Sequence, residues 1–584
     1  MKVADYIIDF LSAQKVNHIF YLIGGAIAHL VDSTIDHKNV SCITMHHEQG
    51  AAFAAEGYAR CNGKLGVAMA TSGPGATNLI TGIGSCFFDS VPCLFITGQV
   101  NTYEYKFDLP VRQVGFQETD IVTIVSSIVK GARLVIKPED IRRDLEWAVH
   151  LAQSGRPGPV LLDIPMNIQR AEVDPDLLQP FVADITADDK VLSTIPFDEI
   201  IKCLQEAKRP VVLVGGGVRS ANACNELFAF IDKTNIPVVT SLMGTDAFSH
   251  THTSYVGMIG TYGHRSANIV LANADFLLVL GSRLDTRQTG TQPKTFARAA
   301  TIVHVDIDKE ELNRSVKAKY TIQMHLKDFL QKINSYIDAG SEIFVPNEWL
   351  NYIKKCKQKF NIFPIAHIGQ EIDPCELINI LSKKVNNDAV ITVDVGQHQM
   401  WVAQFFELQR DQRMLISGGM GAMGFALPAA IGAAFAEPKR QILVIVGDGG
   451  FQINIQELQT IVRNNLNIKI IVLNNQSLGM VRQFQDIYFN SRTEGTLAGY
   501  NNPNFIKIAD AYGITGIRLQ MHKDIEEKLN QFLVQPTYSI LEVALSSNTC
   551  VEPKLIVNDP IEDQDPKLSR NELKEMMFIK IISE

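Results

Sequence analysis

The chain has 584 residues, of which 46% are hydrophobic and 20% charged, and its net charge is −9 at pH 7. This length predicts about three domains with large apolar cores, and the dispersed acidic excess without a basic patch excludes a nucleic-acid binder. Nine scattered cysteines, an odd count with no CxxC pair, predict reduced thiols in a cytoplasm rather than a disulfide framework.

The opening residues MKVADYIIDFLSAQK place Asp5 and Asp9 inside an apolar stretch and predict an amphipathic helix, not a signal peptide. No apolar run approaches the roughly 18 residues that span a bilayer, so no membrane association is expected. Residues 1–172 alternate strand-like and helical patterns, which predicts an α/β domain around a parallel sheet. A strand at 20–23 runs into Gly24-Gly25-Ala26, and one at 42–45 ends in His46-His47-Glu48-Gln49-Gly50. An alanine-rich helix is expected over 51–60. A strand at 66–71 leads into Ser72-Gly73-Pro74-Gly75-Ala76-Thr77-Asn78, and another at 93–97 into Gly98-Gln99-Val100. Glu48, at the mouth of such a sheet, is either a partner of a helix N-terminus or a functional carboxylate.

Residues 173–195, mixed in Pro, Asp and Thr, predict a linker. A second domain is expected over 196–340. Its strand at 210–214 ends in Gly215-Gly216-Gly217, a turn that presses backbone against a phosphate or flat ring, or else a plain βα turn. A second linker is predicted over 341–374, a third domain over 374–550 and a Pro- and charge-rich tail over 551–584, with a short amphipathic stretch from Arg570. The tail fits a cap over a site mouth or over a subunit surface.

The third domain carries the most informative stretch. A β-branched run at 442–446 stops in Gly447-Asp448-Gly449-Gly450, where the backbone turns tightly. Helical spacing follows over 451–464, then a second strand at 468–473 that ends in Asn474-Asn475. Asp448 and Asn475 therefore stand at carboxyl ends of parallel strands, the edge where open sheets bind ligands. One carboxylate with one amide oxygen suits Mg²⁺, which completes its shell with phosphate oxygens and water.

GDG followed by the second Asn of NN resembles the diphosphate-binding motif of thiamine diphosphate (ThDP) enzymes. QSLGMV resembles its continuation in acetolactate synthases, while HEQGAAFAAEGYAR with TSGPGATN resembles the family's pyrimidine-binding domain. The resemblance spans roughly 1–550 and implies three doubly wound parallel-sheet domains: pyrimidine-binding, central FAD-type and diphosphate-binding. It implies Asp448, Asn475 and the Ser477 carbonyl as Mg²⁺ ligands, and Gln397 and His398 as diphosphate contacts. Cofactor contacts are further implied at Gly25, Thr71, Pro74, Asn78, Gly421, Gly447, Gly449, Gly450, Gly479 and Met480. Met423, inside a Gly-rich loop, matches the residue that wedges under the bent cofactor. In such enzymes C2 of the thiazolium reacts as a carbanion, and the cofactor's own 4′-amino group removes the proton. A buried carboxyl at N1′ stabilises the reactive tautomer; Glu48 matches it. The segments GMIGTYGHRSAN, LGSRLDTRQTG and HVDID resemble FAD-binding segments, with Gly215, Gly216, Gly217, Arg283, Arg287 and Asp306 as contacts.

The family reading implies a transferase that decarboxylates pyruvate and passes the two-carbon unit to a second carbonyl, giving 2-acetolactate when that carbonyl is pyruvate. The same resemblance leaves two alternatives, transfer to a nucleotide-linked keto-sugar and a ThDP/FAD pyruvate oxidase. It implies a homodimer or homotetramer with sites between chains, and admits a regulatory subunit. Departures cluster near the acceptor side. Phe484 stands where the family has tryptophan, Asp285-Thr286 where it has two aspartates, and Ile23 where it has proline. Phe116-Gln117-Glu118 lies in a shortened loop, and Gln117 and Lys130 match catalytic-entrance residues.

Overall fold

The computed structural model describes residues 1–183, 195–360 and 371–582. Three sheets of six strands each are built entirely from parallel pairs. Numbered within each sheet, the first and third share the strand order 2-1-3-4-6-5, and the middle sheet runs 3-2-1-4-5-6. The strands are short β-branched and leucine-rich runs. Ile442–Gly447 and Ile468–Asn474 are buried at every residue, as strands covered by helices on both faces must be.

The first and third sheets share one core, in which helix Glu48–Asn62 packs on helix Ala426–Ala436. The approach is close because both helices offer small residues there: a Cβ on Gly57 would run into the Ala429 backbone, and one on Gly432 into that of Ala54. The middle sheet has its own core. All nine cysteines are free thiols, and no helix among the described residues is long and apolar enough to cross a membrane.

Three local expectations change. The helix predicted over 451–464 begins earlier, at Asp448, and breaks into Asp448–Ile453, a 3₁₀ turn Ile455–Glu457 and Leu458–Arg463. The cause is Asn454, whose amide donates to Gly424 O at 2.8 Å and to Gln49 Oε1 at 3.1 Å. The second linker contains helix Asn347–Phe360, which buries Trp349, Ile353 and Cys356; its remainder over 361–370, like 184–194 of the first linker, lies outside the described residues. The tail, with helix Arg570–Met576, straps the middle domain. Arg265 donates to Gln564 O (2.9 Å) and Pro566 O (2.7 Å), and Phe578 stands edge-on to Trp349.

Candidate active site

Each sheet has a point where strand order reverses and the strand ends splay to leave a crevice, and candidate residues gather on the carboxyl ends of the strands around it. In the third sheet the reversal falls between Val390–Val393 and Ile442–Gly447. These strands end in Asp394 and Asp448.

Asp448 is 2% exposed, and its Oδ2 accepts from Asn502 Nδ2 at 2.6 Å. Burial pushes its carboxyl up to about 6. Asn475 Nδ2 donates to Gln397 Oε1 (3.1 Å) and Thr549 Oγ1 (3.2 Å), while its Oδ1 accepts from Ser477 N–H. Gln397 Nε2 in turn donates to Thr549 O at 2.8 Å. His398 packs against Gly447, where an added Cβ would stand 3.0 Å from its ring; burial holds its imidazole down to about 3, so it is neutral. The buried polar atoms without a partner here include His398 Nε2 and Ser477 Oγ. Gly479 has no room for a side chain: a Cβ would lie 2.7 Å from Gln397 Cδ. Met480 is half-buried beyond it, against the core of the third sheet.

Met423 lies over the Gly447–Gly450 turn, since a Cβ on Gly449 would stand 3.4 Å from Met423 Cε. The loop that carries it turns through Gly421 at φ +65. It is anchored by Asp394, whose carboxylate accepts from Gly424 N–H and Ala426 N–H, both at 2.9 Å. A Cβ on Gly450 would collide with the same Asp394 carboxylate. The anchoring role of Asp394 is one the motif reading missed, although its place at a strand end, as with Asp448, was a usable signal.

In the first sheet the reversal falls between His18–Tyr21 and Gly66–Ala70. Glu48 opens its helix, is 6% exposed, and accepts from Asn78 Nδ2 at 2.9 Å through Oε2. Oε1 accepts no hydrogen bond among the described residues. Thr71 Oγ1 accepts from Ala26 N–H at 3.1 Å, and Gly25 is open, with nothing within 4 Å of a Cβ. Pro74 starts helix Pro74–Asn78 after Gly73 at φ +64, where a Cβ would stand 3.0 Å from Gln117 Cβ. Gln117 is thus brought to the Glu48 cluster. Its loop is knotted by Glu118, which accepts from Lys106, Val114 and Gly115 N–H and leaves Phe116 86% exposed.

Lys130 is not brought there within one chain. It precedes Gly131–Leu134 at the amino edge of the sheet, whereas Glu48 follows the carboxyl end of Ser41–Thr44. Its Nζ donates to Ser154 O at 2.6 Å, and burial lowers its pKa to about 8.

A cavity of 690 Å³ opens at the reversal of the middle sheet, between Pro210–Val214 and Phe276–Leu280. Gly216, Gly217, Arg283, Arg287 and Asp306 line it, together with Arg60, Asp89 and Met400 from the flanking domains. Gly215 is not in the lining; its N–H donates to Leu280 O at 2.8 Å and it supports the turn from behind.

Three family models match the chain: thiamine pyrophosphate enzyme N-terminal TPP binding domain over 1–124, central domain over 197–333, and C-terminal TPP binding domain over 394–543. The chain belongs to the thiamine pyrophosphate enzyme family. Thiamine diphosphate is its cofactor, and the third-sheet edge fits that group: buried His398 Nε2 and Ser477 Oγ lack partners, and Gly449 and Gly479 stand where no side chain fits. Among similar family members, the acetolactate synthase large subunit of Lactococcus lactis is 37% identical over 559 residues, 94% of each chain. The isozyme 2 large subunit of Escherichia coli is 38% identical over 561 residues, covering 95% of this chain and 97% of its own. The chloroplastic acetolactate synthase of Arabidopsis thaliana is 37% identical over 584 residues, 97% and 85% of the two chains.

Proposed function

We propose that this protein is the catalytic chain of an acetolactate synthase, converting two pyruvates to 2-acetolactate and CO₂. The observation that carries the reading is similarity to acetolactate synthases along nearly the whole chain, with Glu48 and Asp448 both present and buried beyond the carboxyl ends of parallel strands. Those relatives do not favour a keto-sugar acceptor or an oxidase. Bound thiamine diphosphate supplies the carbanion centre that the side chains lack. Glu48, one oxygen held by Asn78, would keep the proton relationship to the pyrimidine N1′. Asp448, Asn475 and the Ser477 carbonyl would hold Mg²⁺, and Gln397 and His398 the diphosphate. Met423 would support the bent cofactor from the loop that Asp394 anchors. Gly216, Gly217, Arg283, Arg287 and Asp306 would hold FAD in the 690 Å³ cavity, a volume in the range of cofactor pockets.

Two assembly features belong to the same reading. The names "large subunit" carried by relatives support a smaller regulatory companion. Exposed Phe107, Leu109, Val114 and Phe116 beside Gln117 support closure of the site by a second copy of this chain. The deciding experiment incubates purified protein with pyruvate, ThDP, Mg²⁺ and FAD and identifies products by mass spectrometry. Acetolactate and CO₂ are expected, from a protein that turns yellow with FAD; acetyl phosphate or acetate with peroxide, or no acetolactate, would overturn the reading.

A further inference from the structure

Lys554, at the start of the tail, is 7% exposed. Its backbone is pinned to Asp565 by two hydrogen bonds, 2.9 and 2.7 Å. Its ammonium lies 5.5 Å from the ring centre of Tyr488, 5.8 Å from that of Phe484 and 6.0 Å from that of Tyr262. No carboxylate among the described residues is within ion-pair distance of it; Asp565, exposed, acts on it only from farther away. A buried ammonium without a counter-ion is costly, and aromatic faces offset only part of that cost. The arrangement is a cation awaiting an anion.

Its position narrows which anion. Phe484 and Tyr488 belong to helix Gly479–Tyr488, whose first residue abuts Asn475 and Gln397. Tyr262 lines the large cavity of the middle domain, and the charge of the exposed Arg287 bears on the same ring. The ammonium therefore stands between the ThDP edge and that cavity, with flat apolar faces around it. A short aliphatic chain carrying one carboxylate matches both features.

We propose that Lys554 and its three rings form an anion subsite that takes the carboxylate of the acceptor 2-oxo acid. The assignment rests on the acetolactate synthase reading. It is tested with the cofactor-loaded protein, pyruvate as donor, and two competing acceptors that differ by the carboxylate, 2-oxobutyrate and propanal. Lys554→Met is expected to lower the ratio of carboxylate to neutral product about tenfold, through the KM for 2-oxobutyrate, the loss of one charge-assisted contact. Lys554→Arg should keep the ratio within about threefold of the unmodified protein. Because both products form in one vessel, the ratio does not depend on how much of a variant folds. Calorimetric binding of oxamate, an unreactive analogue, should weaken by a similar factor in Lys554→Met. An unchanged ratio, both products falling together, or unchanged oxamate binding would overturn the assignment. Failure of the unmodified protein to make acetolactate would instead strike the reading on which it rests, and oxamate binding still decides the role of Lys554.

Discussion

Asn454 donates to Gln49 Oε1 at 3.1 Å across 405 positions of sequence, and so joins the residue beside Glu48 to the helix that starts at Asp448. Next to it, Glu457 Oε1 accepts from His46 N–H and His47 N–H at 3.0 and 3.1 Å. The turn that presents Glu48 is therefore held by the diphosphate-binding domain of the same chain.

Asn454→Ala removes the donor to both Gln49 and Gly424 and leaves the buried Gly424 carbonyl without it. Thermal unfolding should report a loss of about 1–3 kcal/mol. A midpoint unchanged from that of the unmodified protein would show that the contact is not structural.

Glu48→Gln should keep ThDP affinity while turnover falls about 10²–10⁴-fold, the usual worth of a general acid–base group. Calorimetric titration with ThDP alongside acetolactate formation separates the two effects. Turnover within about threefold of the unmodified protein contradicts the role.

Asp448→Ala removes the one carboxylate among the proposed Mg²⁺ ligands and should abolish retention of ThDP, not merely slow the chemistry. Dialysis followed by cofactor quantification reads this directly. A variant that retains ThDP at wild-type affinity would place the metal anchor elsewhere.

Asp163 is 1% exposed and accepts from Thr97 Oγ1 at 2.7 Å and Gln99 Nε2 at 2.8 Å; burial pushes its carboxyl up to about 7. A raised folded-state value means that its stabilising contribution is complete below the unfolded value of about 4. It is lost as pH rises through about 7. Asn at this site keeps an acceptor for Gln99 and a donor for Thr97 but does not titrate. The stability of Asp163→Asn relative to the parent should therefore climb between those two values, by up to roughly 1.4 kcal/mol per pH unit. A flat difference across thermal melts from pH 4 to 8 would refute the assignment.

Phe484 is 45% exposed and its ring lies 4.6 Å from that of Tyr488. It presents less flat area than the tryptophan usual in the family, and one methylene in such a pocket is worth only about 1–3 kcal/mol. Weak preference between pyruvate and 2-oxobutyrate as acceptors is expected, and Phe484→Trp should shift it towards 2-oxobutyrate. Competition between the two acids measures it; a strong 2-oxobutyrate preference in the unmodified protein, unchanged by the substitution, would remove Phe484 from acceptor choice.

The sequence by itself determined the parallel α/β class, the strand ends at Gly215, Asp448 and Asn475, and the ThDP motifs, because periodicity and glycine turns are local properties of the chain. Only the tertiary structure decided which of those ends lie at strand-order reversals, since that depends on how distant strands pair. The same holds for Asp394 under the Met423 loop, for the helix break at Asn454 and for the helix inside the second expected linker. Each is set by a contact with a partner far along the chain, which no local pattern encodes. Lys554 is the clearest case: in the sequence it is one more lysine of a charged tail, and it becomes a buried cation only because the tail folds back between Tyr262 and Phe484.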